Sequence, residues 1–409
     1  MTETHVAVEQ AARDSWGRLL AFLSARSGDV AAAEDALADA FQAALETWPR
    51  RGVPSKPEAW LLVAARRKLI DAARHRKVHE EATPALIAIT DVAQQMADSA
   101  ETFPDERLKL LFVCAHPAID LNSRTPLMLQ VVLGLDAARI ASAFLVKPSA
   151  MGQRLTRAKT KIRVTGLRFE LPGASDLPGR LDAVLEAIYA AYGSGWDDVA
   201  GAYNRRKGLA KEAIDLGKLL LQLMPAEPEV QGLLALMLHC EARREARRSD
   251  RGAYVPLSEQ DVVRWSSAMI EEAERLLENA AQFGRIGHFQ LEAAIQSVHS
   301  HRAQSGQTDW ESIAVMYEAL VRIAPTMGAL VSRAAAVAET RGAETAFQLL
   351  KEIPIQSVET YQPYWALAAH LLKRMQRFDD AKSAYTRAMG LCEDSGMREF
   401  LRQKAAELN

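Results

Sequence analysis

The spacing of the apolar side chains is the feature that most limits what this chain can fold into. Apolar residues recur every three or four positions along nearly the whole sequence, and the good helix formers alanine, leucine, glutamate and arginine dominate it. No sustained alternation of β-branched residues indicates a strand. We therefore predict an all-α fold.

Three segments rich in proline and glycine interrupt the helical pattern, at residues 48–57, 171–179 and 249–257. A chain of 409 residues is long enough for two to four domains. The middle segment separates an N-terminal part, residues 1–170, from a C-terminal part, residues 180–409.

Overall composition excludes two classes of protein. With 49% hydrophobic and 25% charged residues, the chain is not a wholly disordered one, and its net charge of −2 excludes a generally basic nucleic-acid binder. Any binding of nucleic acid must therefore come from local patches.

Such patches are present, because charge is segregated within the N-terminal part. Residues 27–49 and 79–102 each hold five acids and no lysine or arginine. Residues 60–79 hold six lysines and arginines with one aspartate, and residues 137–169 hold eight with no acid. A single charge run usually indicates a solvated helix face, but four alternating blocks favour two DNA-facing surfaces and a protein-facing one.

The second basic block has the pattern of a helix-turn-helix. Asp136 can cap a first helix, Pro148 interrupts it, and Ser149 is the predicted N-cap of a second helix. We expect this second helix to bury four residues at core spacing: Met151, Leu155, Ala158 and Ile162. Its outward glutamine and arginines suit base edges, and its later lysines suit phosphates. An ordinary helical hairpin with a basic face has the same pattern.

A pair of amphipathic helices is predicted upstream. Residues 33–45 carry Asp35 and Asp39 one turn apart, and residues 58–77 form a helix with a basic outer surface. The residues of this second helix that we expect to face the core are Trp60, Leu61, Val63, Ala64 and Ile70.

These motifs resemble those of an extracytoplasmic-function sigma factor of the sigma-70 family. Ala33-Glu34-Asp35, then Trp60-Leu61 and the basic helix, are similar to sigma region two, and the helix-turn-helix is similar to region four. The resemblance assigns residues 10–78 to a region-two helical bundle, 79–103 to an acidic linker and 104–168 to region four.

The remainder of the chain, residues 180–409, resembles the long C-terminal helical-repeat domain of one subgroup of these sigma factors. The subgroup's motifs are present as Cys114-Ala115-His116-Pro117, Met224-Pro225-Ala226-Glu227-Pro228-Glu229-Val230, 233–238 and Thr308-Asp309-Trp310. Tyr192-Gly193-Ser194-Gly195-Trp196 departs from the subgroup by lacking an Asn and a Glu.

The resemblance implies a detachable subunit that directs bacterial RNA polymerase to promoters, contacting the clamp and flap of the polymerase core. The residues it implies for binding core polymerase are Glu34, Asp35, Leu37, Asp39 and Phe41. Those for the −10 element are Trp60, Arg66, Arg67, Lys68, Arg74, Arg76 and Lys77. Those for the −35 element are Lys147, Ser149, Ala150, Gln153, Arg154, Arg157, Lys159 and Lys161.

A period of 34 residues in the C-terminal part indicates a tetratricopeptide-like (TPR-like) array. Ile313, Phe347 and Ala381 are spaced by 34, and Tyr317 and Tyr385 by twice that number. Such arrays form concave surfaces that bind peptides or ligands, so we expect a regulatory or partner-binding role for this domain, with a protein or small molecule as its partner.

No constellation of residues predicts an enzyme, a metal site or a cofactor, and His299 and His301 are too close in sequence to share a helix face. Two alternatives to a sigma factor stay open: a self-standing helix-turn-helix regulator with a ligand- or peptide-sensing repeat domain, and a scaffold that does not bind DNA. We expect a cytoplasmic protein without a membrane contact, because three widely spaced cysteines fit a reducing compartment and no signal sequence or long apolar run is present.

Overall fold

A computed structural model describes residues 3–75, 105–144, 146–173, 175–196, 209–250 and 252–408. Regular secondary structure in these ranges is helical, with one isolated bridge between Arg248 and Tyr254 as the exception. The predicted all-α fold is confirmed. The acidic linker 79–103, together with Arg76 and Lys77, lies outside the described residues.

Contacts between residues divide the chain into two compact units. The first comprises Met1–Gly195 and Asn204–Leu216, and the second comprises Trp196–Tyr203 and Gly217–Asn409. The segments predicted as region two and region four thus share one unit, which extends beyond the break expected near residue 175. Two interactions cross the expected break: Arg107 forms an ion pair with Glu212, and Arg180 donates to the carbonyl oxygen of Phe112.

The first unit contains eight described helices and the beginning of a ninth. They are α1 Glu3–Ser27, α2 Val30–Arg51, α3 Pro57–His75, α4 Arg107–Cys114, α5 Leu121–Leu133, α6 Ala137–Ala143, α7 Pro148–Thr165, α8 Leu177–Trp196 and α9 Leu209–Leu223.

Helices α1, α2 and α3 pack together as a bundle. Gly28 turns the chain between α1 and α2 with a φ of 67°, and the carboxylate of Asp29 caps α2 by accepting from the backbone N–H of Ala32 at 3.1 Å. The α3 residues buried against the other two helices are Ala59, Leu61, Leu62, Ala65 and Leu69. Trp60, Val63, Ala64 and Ile70 are only half-buried, so the predicted core face of α3 was partly wrong.

Helix α1 also packs against α4 and α5 of the predicted region four. At Gly17 the helices approach so closely that a Cβ would overlap the carbonyl oxygen of Val132 on α5. One residue earlier, the Trp16 ring lies against Gly134, which ends α5 in the left-handed conformation at a φ of 67°. Only glycine fits both positions without displacing a neighbour.

Helices α6 and α7 form the predicted helix-turn-helix segment. Met151, Leu155, Ala158 and Ile162 are all buried, as their spacing predicts. Helix α7 starts earlier than expected, because Lys147 occupies the N-cap position and Pro148 the first helical position, where proline loses no hydrogen bond. Ser149 therefore lies inside the helix and not at its N-cap.

The second unit contains the end of α9 and ten further helices in the described residues. They are α10 Pro228–Ala242, α11 Ser267–Ala281, α12 His288–Ser305, α13 Trp310–Ile323, α14 Met327–Thr340, α15 Ala343–Lys351, α16 Ile355–Val358, α17 Gln362–Arg374, α18 Phe378–Gly390 and α19 Ser395–Ala406.

Neighbouring helices of this unit pack in sequence order, and α10 packs on both α11 and α12. A Cβ at Gly232 of α10 would lie 2.7 Å from the backbone nitrogen of Gln290 on α12, so the two helices nearly touch there. The polar segment between α10 and α11 contacts the residues at and in α19. Arg248 forms an ion pair with Asp394 at 2.5 Å, and the ring of Tyr254 packs edge to face on that of Phe400.

None of the described helices combines the length and the apolar character that crossing a membrane requires.

Two histidines are enclosed between the helices of the second unit. His239 on α10 is fully buried, and its Nδ1 lies 3.2 Å from the hydroxyl of Ser300 on α12. Burial first, and the nearby Arg243 second, lower the pKa of His239 to about 3. The same two causes, with Arg302 third, lower the pKa of His299 to about 4.

We therefore expect acid to destabilise the fold through His239. Its folded-state pKa lies below the ordinary value of 6.5, so the unfolded chain binds the extra proton and stability falls as pH drops below 6.5. Below pH 6.5, His239→Gln should make the unfolding free energy less dependent on pH, by up to about 1.4 kcal/mol per pH unit. Urea titrations between pH 7 and pH 4 measure this free energy. The exposed His301→Gln serves as control, and equal slopes for both variants would contradict a buried neutral His239.

Candidate nucleic-acid interface

Helix α2 presents an acidic edge to solvent and an apolar face to the core. Asp35 and Asp39 are exposed, and Glu34 is half-buried. Leu37 and Phe41, predicted as apolar anchors for polymerase, are buried within the unit, where the Phe41 ring stacks on Trp16 at 5.7 Å. In this conformation the two apolar side chains predicted to contact polymerase are covered by other residues of the same unit.

Helix α3 carries the first basic surface. Arg67 and Lys68 are exposed, Arg66 is half-buried, and Lys68 lies 3.3 Å from the carboxylate of Asp39 on α2. Trp60 is half-buried at the start of α3 and packs edge to face on Trp48 with ring centres 5.6 Å apart. Arg74 lies in the last turn of α3. The exposed cations of α3 therefore share one helix with a partly accessible indole ring.

Helix α7 carries the second basic surface, on the side opposite its buried residues. The exposed members of the predicted set are Lys147, Ser149, Ala150, Gln153, Arg157 and Lys161, while Arg154 and Lys159 are half-buried. Arg154 donates to the carbonyl oxygen of Asn122 at 3.3 Å, which fixes its side chain against α5.

A shallow groove of about 660 Å³ runs along this side of α7. Gln153, Arg154, Arg157 and Lys161 line one wall, and residues around the start of α5, including the acid Asp120 and Ser123, line the other. The groove presents bidentate hydrogen-bonding groups and cations together, which is the side-chain chemistry that reads and holds a DNA duplex.

The basic side of α7 and the acidic edge of α2 also contact each other. The amine of Lys159 lies 2.5 Å from a carboxylate oxygen of Glu34, and both side chains are mostly shielded from solvent, with exposed fractions of 13% and 22%. One turn along, Arg163 lies 3.7 Å from the capping residue Asp29. The family resemblance implies different binding surfaces for Lys159 and Glu34, and the structure brings these two side chains together.

No group of three or more histidine, cysteine, aspartate or glutamate side chains in the described parts of the chain is arranged to hold a metal ion.

Two family models match separate parts of the chain. Residues 14–78 match sigma-70 region 2, and residues 180–281 match a family of unknown function (DUF6596). An uncharacterized protein of Rhizobium meliloti (strain 1021) is 36% identical over 416 aligned positions, which cover all of this chain and 97% of that protein. No solved structure matches.

The match at residues 14–78 includes the acidic edge of α2 and the exposed cations of α3, so these surfaces lie within a recognised domain. The chain thus belongs to one protein family with this Rhizobium meliloti relative, and its N-terminal part contains a sigma-70 region 2 domain.

Proposed function

We propose that this chain is a promoter-specificity subunit of bacterial RNA polymerase, of the extracytoplasmic-function type, and that it acts in the cytoplasm. The observation that carries the proposal is the sigma-70 region 2 domain at residues 14–78, because sigma-70 proteins are transcription initiation factors and not enzymes. Core polymerase and promoter DNA are then its partners.

In this proposal α2 binds the polymerase core. Asp35 and Asp39 supply charge at the rim of the contact, and Leu37 and Phe41 supply apolar surface once α2 is uncovered. Trp60 and the cations of α3 hold the −10 element, where an aromatic ring can stack on an unpaired base while arginine and lysine fix the backbone.

Helix α7 enters the major groove of the −35 element in this proposal. Gln153, Arg154 and Arg157 contact base edges, and the lysines nearer its C-terminus contact phosphates. The C-terminal unit, a TPR-like array in this proposal, regulates these steps or contacts a partner. Its packed helical pairs and the burial of the periodic residues Ile313, Ala381 and Tyr385 are consistent with a repeat array.

Binding to core polymerase tests the central part of the proposal. We expect the full chain to bind purified core enzyme and Asp35→Lys to weaken this binding about tenfold, by reversing an exposed charge at the rim of the contact. Titration of the labelled chain with core polymerase measures both affinities, and Glu186→Lys, at an exposed acid of α8, is the charge-matched control. A chain that binds duplex DNA tightly but never binds core polymerase would instead be a self-standing regulator.

Two substitutions on α7 separate base recognition from phosphate binding. We expect Arg154→Ala to weaken binding to particular −35 sequences by about 1–3 kcal/mol, and Lys161→Ala to lower affinity evenly across promoters. Footprinting of the holoenzyme on a panel of promoters measures both effects. The assignment of Arg154 is refuted if its removal weakens every promoter equally.

Because Glu34 holds the amine of Lys159, this lysine can reach a phosphate only after that ion pair opens. We expect Glu34→Gln to raise the affinity of the free chain for a duplex by roughly three- to tenfold at low salt. Asp35→Asn removes the same charge from α2 at an exposed position and should change the affinity less than about twofold. Fluorescence anisotropy measures the duplex affinity of both variants. Equal increases in affinity would indicate a general charge effect and would contradict a specific role of the Glu34–Lys159 ion pair.

A further inference from the structure

The ends of α10 and α12 enclose a cluster of polar side chains in the second unit. Helices α10 and α12 nearly touch at Gly232, and just after the end of α10 Arg243 donates to the amide oxygen of Gln296 on α12 and lies near the ring of Trp265. The half-buried Arg302 of α12 lies near the same ring and donates to the carbonyl oxygens of Ser258 and Gln260 at 2.6 and 3.1 Å.

The positive charge of this cluster lacks a counter-charge in the described residues. Arg243 is only 6% exposed, and its polar side-chain contacts are the amide oxygen of Gln296 and, at 4.0 Å, the sulfur of Cys240. No carboxylate in the described ranges lies within 4 Å of Arg243 or Arg302. Burying a guanidinium without an anion costs several kcal/mol, roughly, so this arrangement needs an explanation.

Three nitrogen atoms in the same place also have no hydrogen-bond partner in the described residues. They are Nη1 of Arg243, Nε1 of Trp265 and Nε2 of His239. Trp265 is 7% exposed, and both guanidiniums lie near its ring, with its centre 5.9 Å from that of Arg243 and 5.2 Å from that of Arg302. Two of these nitrogens belong to groups that can only donate, which suits a ligand whose atoms accept hydrogen bonds.

Glu274, the carboxylate next to His239, does not supply the missing charge. Glu274 lies 3.6 Å from Nε2 of His239, beyond hydrogen-bond distance, and it already accepts from the hydroxyl of Ser297 at 2.6 Å. His239 and His299 stay neutral at pH 7, since burial and Arg243 lower both pKa values. Of these two histidines and two arginines, the arginines alone carry charge at pH 7.

From the unpaired Arg243 guanidinium, the unsatisfied indole N–H of Trp265 and the adjoining Arg302, we propose that the second unit contains a binding site for a small oxyanion. The ligand carries a phosphate or carboxylate group, whose oxygens accept from Nη1 of Arg243 and Nε1 of Trp265. It enters from the side of Arg302, the partly exposed member of the cluster. The proposed site lies within the second unit and does not require that the chain bind polymerase. Its ligand is an anion.

The first test is calorimetric titration of the full chain with inorganic phosphate and, separately, with succinate, at an ionic strength held constant with chloride. We expect saturable binding of at least one probe, and the preferred probe distinguishes a phosphate from a carboxylate site. Trp265→Phe keeps the ring but removes the unsatisfied N–H, and it should weaken binding about tenfold. Arg333→Gln is the control, because this arginine faces the carboxylates of Glu318 and Glu352 and should leave the affinity unchanged.

The second test measures the unfolding temperature, which should change in opposite directions for a ligand-binding arginine and for a purely structural one. If Arg243 awaits an anion, Arg243→Met removes an unpaired buried charge at similar volume, so it should raise the unfolding temperature of the ligand-free chain and abolish stabilisation by the bound probe. If Arg243 only packs on Trp265 and Gln296, the same variant lowers the unfolding temperature and the wild type gains nothing from either probe. That second pair of results overturns the proposal.

Discussion

The contact of α1 with α5 at Gly17 sets the arrangement of the first unit. Because a glycine stands opposite the carbonyl group of Val132, the helix of region two and the helix of the predicted region four approach to backbone distance. Trp16 next to it packs on both Gly134 and Phe41, so one turn of α1 joins α5 to α2. The acidic edge of α2 and the basic side of α7 then come within reach of each other.

This arrangement connects packing with the proposed activity. A sigma factor must expose one surface to polymerase and two to DNA, yet here Leu37 and Phe41 are buried and Lys159 is paired with Glu34. The ion pair shields Lys159 and Glu34 from solvent. The cations Arg157 and Lys161 of the same helix stay exposed and line the groove. Under the proposed function, Lys159 can contact DNA only when its ion pair with Glu34 opens.

Local features were predictable from sequence because they depend on neighbours along one helix. The spacing of Met151, Leu155, Ala158 and Ile162 defines the buried face of α7 without reference to any other element. For α3 the same method failed in part: Trp60 and Ile70 are half-buried and Leu62 and Leu69 are buried, because α1 and α2 together determine which face is covered. The pairing of Glu34 with Lys159 spans 125 residues and has no local signal. The unpaired Arg243 is equally invisible in sequence, where it stands among other charged residues.

Transcription with purified components tests the central claim most directly. The full chain is added to core polymerase that lacks any sigma factor, with a pool of promoter fragments, and the 5′ ends of the transcripts are mapped. If the chain is a promoter-specificity subunit, transcription begins at defined positions that depend on its addition. If transcripts stay at background under conditions where a reference sigma factor directs initiation, the account is wrong.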